Sequence, residues 1–138
     1  MKRLAIIVRE DAYDRILTPL AFAYLGAASD MEVDILFVNW AARVLTKGGA
    51  ENLKVSKEHE GSDEMIKAKV AEAGLPTDVY EIIKALKATG KVRMYVCSLA
   101  AQIFDVTKEN LVPEAEDIVG ATWFLLEKAQ KADVVLTF

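Results

Sequence analysis

Leu4-Ala5-Ile6-Ile7-Val8 is an unbroken apolar run, closed off by Arg9-Glu10-Asp11. A strand with one wet face alternates apolar and polar residues, so a continuous run bounded by charge marks a strand covered on both faces, as in a parallel sheet. The pattern returns down the chain. Met31 to Val38 holds a second strand rich in β-branched and aromatic residues, and Val92 to Cys97 a third. Glu116 to Val119 makes a short fourth strand, and Ala132 to Phe138 the last. Between them the spacing turns helical. Asp11 to Ser29 reads as a long helix that Asp11 or Asp14 would cap, and Ala41 to Thr46 as a short one stopped by Gly48-Gly49. Asp63 to Ala73 is helical up to Gly74. After the turn and cap Leu75-Pro76-Thr77-Asp78, Val79, Ile82, Ile83 and Leu86 keep the helical period as far as Gly90. Ser98 would cap a helix running to about Phe104, and Gly120 to Gln130 forms another. Alternating strands and helices predict an α/β fold: a three-layer sandwich on a mostly parallel sheet of about five strands, flavodoxin- or Rossmann-like, with right-handed crossovers.

Composition narrows the function classes. A chain of 138 residues fits one domain, residues 1–138, and its 53% hydrophobic and 28% charged residues exclude disordered and collagen-like architectures. The net charge of −4 lacks the basic footprint of a nucleic-acid binder. One Cys cannot close an internal disulfide, and one Cys with one His does not make a Cys/His zinc site, so no metal is expected. The dinucleotide and P-loop glycine patterns are absent, which predicts no cofactor, and no CxxC redox pair is present. The longest apolar stretch, Pro19 to Ser29, is too short for a membrane span of about 20 residues and reads as a buried helix. The first apolar run stops too early for a signal-peptide core, so a soluble cytoplasmic protein is expected.

In open α/β sheets ligands sit beyond the carboxyl ends of the strands. Here those ends are Val8-Arg9-Glu10, Val38-Asn39-Trp40, Val96-Cys97-Ser98 and Val119-Gly120, so the sole thiol falls on the edge where chemistry is expected. Free N–H groups at the start of the following helix, around Leu99 to Ala101, could point at the Cys97 sulfur and favour a thiolate or a persulfide anion. The plain alternative is a buried Cys acting as a small hydrophobe. Arg9 could support the anion, with Asp11 beside it; the same residues would also make a solvated turn and helix cap. Asn39 and Trp40 follow the second strand, and Trp40 could wall a pocket over the sulfur or pack as core or interface. His59, in Lys57-Glu58-His59-Glu60, could serve as a base, although a His among exposed charges is usually surface. The polar stretch Gly48 to Asp63 has the length of a lid, binding loop or mobile segment, and Val106 to Pro113 is turn-rich.

Four segments carry a resemblance. Tyr95-Val-Cys-Ser-Leu-Ala-Ala-Gln-Ile-Phe-Asp-Val106 resembles the cysteine segment of the DsrE/DsrF-like family, and Glu10 to Ala23 resembles the opening of one of its subgroups. Phe37-Val-Asn-Trp40 and the ending from Asp117 to Phe138 are similar as well. The resemblance implies a small α/β subunit that assembles into trimers or hexamers. It also implies a persulfide on Cys97, taken from a sulfur donor and passed to an acceptor protein thiol. Relatives often carry Gly near the end of the cysteine helix, where Asp105 stands here. The competing expectation is an oligomeric binding module for a small anion or nucleotide in the same cleft. A thiol redox protein is disfavoured because the chain holds no resolving Cys.

Overall fold

The structure, a computed structural model, describes residues 2–138. Five strands form one sheet in the order β4-β3-β2-β1-β5, every neighbouring pair parallel: β1 Arg3–Val8, β2 Glu32–Phe37, β3 Val92–Cys97, β4 Asp117–Val119 and β5 Val134–Thr137. The three central strands are the longest of the sheet, six residues each, and mostly buried.

Side chains alternate across the sheet, so each strand splits into two sets. Leu4, Ile6 and Val8 share a face with Val33, Ile35 and Phe37 and with Met94 and Val96, all buried. This face packs against α1 (Tyr13–Ala28) and α3 (Val79–Ala88), which contribute Ile16, Leu20, Ala23, Ile83 and Leu86 to the core. At Gly26 the helix comes so close that an added Cβ would stand 2.8 Å from Leu4 Cδ2. The opposite face holds Ala5, Leu36, Tyr95 and Cys97, with Asp34 and Arg93 among them. It is covered by α5 (Ala121–Phe124), which runs on as a π-helical turn over Leu125–Ala129. Tyr95 meets Trp123 at 5.4 Å and Phe124 at 6.2 Å between ring centres. Helices α1 and α3 on one face and α5 on the other give the expected three layers.

Charge on that second face is matched rather than excluded. Arg93 Nε donates to Asp34 Oδ1 at 3.0 Å and its Nη1 to Glu32 at 3.0 Å, while Lys128 Nζ stands 3.4 Å from Asp34 Oδ1. Burial and the Asp34 charge push the Tyr95 phenol above its ordinary 10.0.

Several local expectations need correction. Neither Asp11 nor Asp14 caps α1: the N-cap is Ala12, and the Tyr13 N–H donates to the Lys54 carbonyl at 2.7 Å. Asp14 turns instead to Ser56, accepting its N–H and its hydroxyl at 2.7 Å each. Burial raises the Asp14 carboxyl, but the two Ser56 bonds outweigh it and hold it below its ordinary 3.8. Ser98 is not a cap either, since α4 (Ser98–Ile103) has Cys97 as its N-cap. Asp78 does cap α3, accepting from the Tyr80 N–H at 3.3 Å. The expected helix at Ala41 to Thr46 is a 3-10 helix, Asn39–Leu45. Gly49 behind it admits no side chain, because a Cβ there would fall 1.8 Å from the Arg43 carbonyl oxygen.

The stretch Gly48 to Asp63 is tied down rather than free. Ala50 is buried, Leu53 and Val55 pack on the core, and Asp63 accepts the Val55 N–H at 2.9 Å. A short α2, Asp63–Glu72, follows. The turn-rich stretch 106–113 is likewise held, through Val112 N–H to the Leu45 carbonyl and Lys47 N–H to the Asn110 carbonyl, both 2.8 Å. Among the described residues no helix is long and apolar enough to cross a membrane.

Candidate functional site

Cys97 is the last residue of β3 and the N-cap of α4, with extended backbone (φ −66°, ψ 132°). Its sheet partner on one side is Val119, and continuing the β2–β3 register puts Val38 on the other. The sulfur therefore stands at the carboxyl edge, on the face that α5 covers. Only 6% of the residue is exposed, while Ser98 and Leu99 beside it are open. The N–H groups of α4 do not reach the thiol: no hydrogen bond joins the Cys97 side chain to its helix, so that expected feature is not formed. A helix of only six residues also carries a small dipole.

The other predicted residues separate into two groups. Asp11 binds Arg43 at 2.6 Å, and the Arg43 guanidinium lies 4.8 Å from the centre of the Trp40 ring and 5.9 Å from that of Phe104. Trp40 packs on Phe104 at 4.8 Å. Trp40 thus rests on the far end of the helix that begins at Cys97, roughly 9 Å along its axis at about 1.5 Å per residue. Its ring packs against Phe104 and Arg43 and is half exposed. Asn39 opens the 3-10 helix with φ +50°, a left-handed conformation that Asn tolerates better than most residues. Arg43 was missed by the sequence reading. Its signal was its place three residues after Trp40 on a helical segment, which puts a cation and an indole on one side.

Arg9 and His59 belong to the second group. Continuing the register from Val8 and Phe37, Arg9 stands two strands from Cys97, roughly 9–10 Å between backbones. It lines a hollow of 360 Å³ at the ends of β1 and β5, together with Glu10, Asp14, Arg15, Thr18 and Phe138. Arg15 there is paired with both Glu10 and Glu58. His59 is mostly exposed and faces Asp14 at 4.0 Å. A second hollow, of 370 Å³, lies between Tyr13, Asn52, Lys67 and Asp78. Cys97 lines neither, so the shared cleft expected for the thiol and a small ligand is not formed by these two hollows. Among the described residues no group of three or more His, Cys, Asp or Glu is placed to hold a metal ion.

Chemically, the edge offers one sheltered thiol beside an exposed Ser–Leu helix start, plus an aromatic–guanidinium cluster at the other end of α4. Comparison with known proteins adds a family. The sequence model of the DsrE/DsrF-like family matches residues 2–138. No curated protein matches the chain by sequence. Among solved structures, the YchN protein from E. coli is similar over 100% of both chains, with a TM-score of 0.63 at 17% identity. MTH1491 from Methanobacterium thermoautotrophicum, described as a protein of unknown function, is similar over 99% of both chains, with a TM-score of 0.60 at 13% identity. At such identities these likenesses speak for the fold.

Proposed function

Because the chain belongs to the DsrE/DsrF-like family, we propose that it is a sulfur carrier or sulfurtransferase subunit acting through Cys97. The observation that supports this reading best is the place of the only thiol, at a strand–helix junction on the carboxyl edge of a parallel sheet. In the first step the Cys97 thiolate attacks the outer sulfur of a donor persulfide, R–S–SH. The new S–S bond forms on Cys97, the donor's S–S bond breaks, and the donor leaves as a thiol. In the second step an acceptor thiolate attacks the outer sulfur of the Cys97 persulfide, which releases Cys97 and creates the acceptor persulfide. One sulfur atom moves at each step, and no external oxidant or reductant is needed. Ser98 and Leu99 form the open rim at which an acceptor would arrive.

The subunit would work in the cytoplasm, as one unit over residues 1–138, within a homo-oligomer, a trimer or a dimer of trimers. Exposed Phe22, Leu25, Trp123, Leu125, Leu126, Val134 and Val135 support assembly, since patches of large apolar side chains usually mark interfaces. Intact mass after incubation with thiosulfate, tetrathionate or a persulfide donor tests the reading. The native protein should gain sulfur-containing mass that a reductant removes, and Cys97→Ser should gain none. A native protein that stays unmodified with every donor, yet reacts once unfolded, would make Cys97 a packing residue.

A second reading has its own support. In that reading the chain is a binding module for a small anion or nucleotide, and Arg9, which makes no ion pair among the described residues, is the cation of the hollow at the ends of β1 and β5, whose Arg15 is already matched by Glu10 and Glu58. It is favoured if a small anion raises the melting temperature of wild type and Cys97→Ser equally, and Arg9→Ala abolishes the rise.

A further inference from the structure

The two edges of the sheet are treated differently. β4 is three residues long, starts with Asp117, and the Asp117 carboxylate accepts the N–H of its own neighbour Ile118 at 2.8 Å. Short length, charge and a self-satisfied N–H are means by which an edge is closed to foreign strands. β5, at four residues, is nearly as short but lacks the other two. Val134-Val135-Leu136-Thr137 carries no charge and no proline, pairs among the described residues only with β1, and exposes Val134 (43%) on one face and Val135 (46%) on the other. Leu4 and Val134 are register partners on the α1 face, where Phe22 and Leu25 of α1 are also open and Phe22 lies 5.9 Å from Phe138.

We propose that β5 is the site of a two-fold contact with β5 of a second copy of this chain, the two strands running antiparallel so that two sheets become one of ten strands. The register follows from backbone geometry. In a parallel pair the N–H and C=O of one residue point to the same side, and successive residues alternate. The Phe138 N–H donates to the Ile7 carbonyl at 2.8 Å, so Leu136 also turns toward β1 while Val135 and Thr137 turn outward. Asp133 is unavailable, because its N–H donates to the Arg3 carbonyl at 2.9 Å. Pairing Val135 with Thr137 of the partner, about a two-fold at Leu136, makes both outward residues of each strand into hydrogen-bonded pairs. That closes four backbone bonds, whereas centring on Val135 closes two, because Thr137 would then stand opposite the occupied Asp133. In this register Leu136 faces its own copy and Val134 meets Phe138 of the partner subunit, which covers the open apolar side chains. An identical edge can pair with itself only about a two-fold axis, so an assembly built this way has an even number of subunits, which of the two assemblies proposed above selects the dimer of trimers and excludes the trimer. The contact does not depend on the sulfur chemistry proposed for Cys97.

Light scattering and cross-linking test it. The wild-type mass should be an even multiple of 15.2 kDa. Val135→Pro deletes an outward N–H that serves no bond within the subunit and should halve the mass with the circular dichroism unchanged. Leu136→Cys in a Cys97→Ser background should form a disulfide-linked pair on mild oxidation, because the facing Cα atoms would lie about 4.5 Å apart. An odd number of subunits, including one, or a Val135→Pro protein that keeps the full mass, overturns the proposal. If Val135→Pro fails to fold, the cross-link decides alone, and its absence overturns the proposal.

Discussion

Replacing Asp14 by Ala removes the carboxylate that receives the N–H and hydroxyl of Ser56, 42 residues away, each at 2.7 Å. Ser56 is 9% exposed and the Asp14 side chain 15%, so water replaces the lost acceptor only in part. A hydrogen bond to a charged group contributes about 1.5–3 kcal/mol, and a buried donor left without a partner costs about 1–3 kcal/mol. With two donors affected and partial access for water, the loss should be about 2–3 kcal/mol. At roughly 4 °C per kcal/mol for a chain of this size, Tm should fall by roughly 8–12 °C. Denaturant titration and calorimetry read the total. Hydrogen exchange reads its place: protection should fall across residues 54–62 and stay high in β1, β2 and β3. The pH dependence has a defined sign. Because folding lowers the Asp14 carboxyl below 3.8, the unfolded chain takes the proton first. The contribution is complete above 3.8 and fades as pH falls through the folded value, so wild type and Asp14→Ala should converge in acid. A loss below about 0.5 kcal/mol, or unchanged exchange across 54–62, would refute the idea that Asp14 anchors this segment.

Two backbone predictions accompany it. Asp105 sits at φ +55°, a left-handed conformation that Gly adopts without steric cost, so Asp105→Gly should stabilise the protein by about 0.5–1 kcal/mol in urea unfolding, and a destabilisation would show that the Asp side chain holds the turn. Gly49→Ala forces a Cβ onto the Arg43 carbonyl and should destabilise by about 3 kcal/mol or more, while Gly61→Ala, with open space around it, should cost only the strain of its positive φ, so equal effects would contradict the close approach at Gly49.

The strands were legible because their signal is local: an unbroken apolar run such as Leu4 to Val8 has few other uses in a soluble domain. The helix ends at Gly74 and Gly90 were legible for the same reason, both glycines standing at positive φ just past their helices. What was misread depends on partners far away in the chain. Asp14 looks like a cap until Ser56 is brought to it, and the polar composition of 48–63 hides Ala50, Leu53 and Val55, which bury only after the chain folds back on α1. The π-helical turn at Leu125–Ala129 accompanies the reach of Lys128 to Asp34, a contact that no local pattern encodes. At the candidate site the sequence correctly grouped residues on one sheet edge. It could not tell that Arg43 would tie Asp11 to Trp40, or that Arg9 would line a hollow apart from Cys97.

The pairing of Asp34 with Arg93 has a consequence for how the chain avoids folding wrongly. Apart from Asp34, every residue from Val33 to Phe37 is apolar, so hydrophobicity alone hardly distinguishes one alignment of β2 from the next. In the native alignment Asp34 lies directly opposite Arg93, and the carboxylate meets the guanidinium. A slip of one residue would turn Asp34 toward α1 and α3, between Ile6 of β1 and Met94 of β3, with no cation to meet it. Stranding a carboxylate there costs several kcal/mol, more than the matched pair adds to the correct fold. The charged pair therefore works as a key cut into an otherwise featureless strand: it adds little to the depth of the right minimum and raises the nearest wrong one.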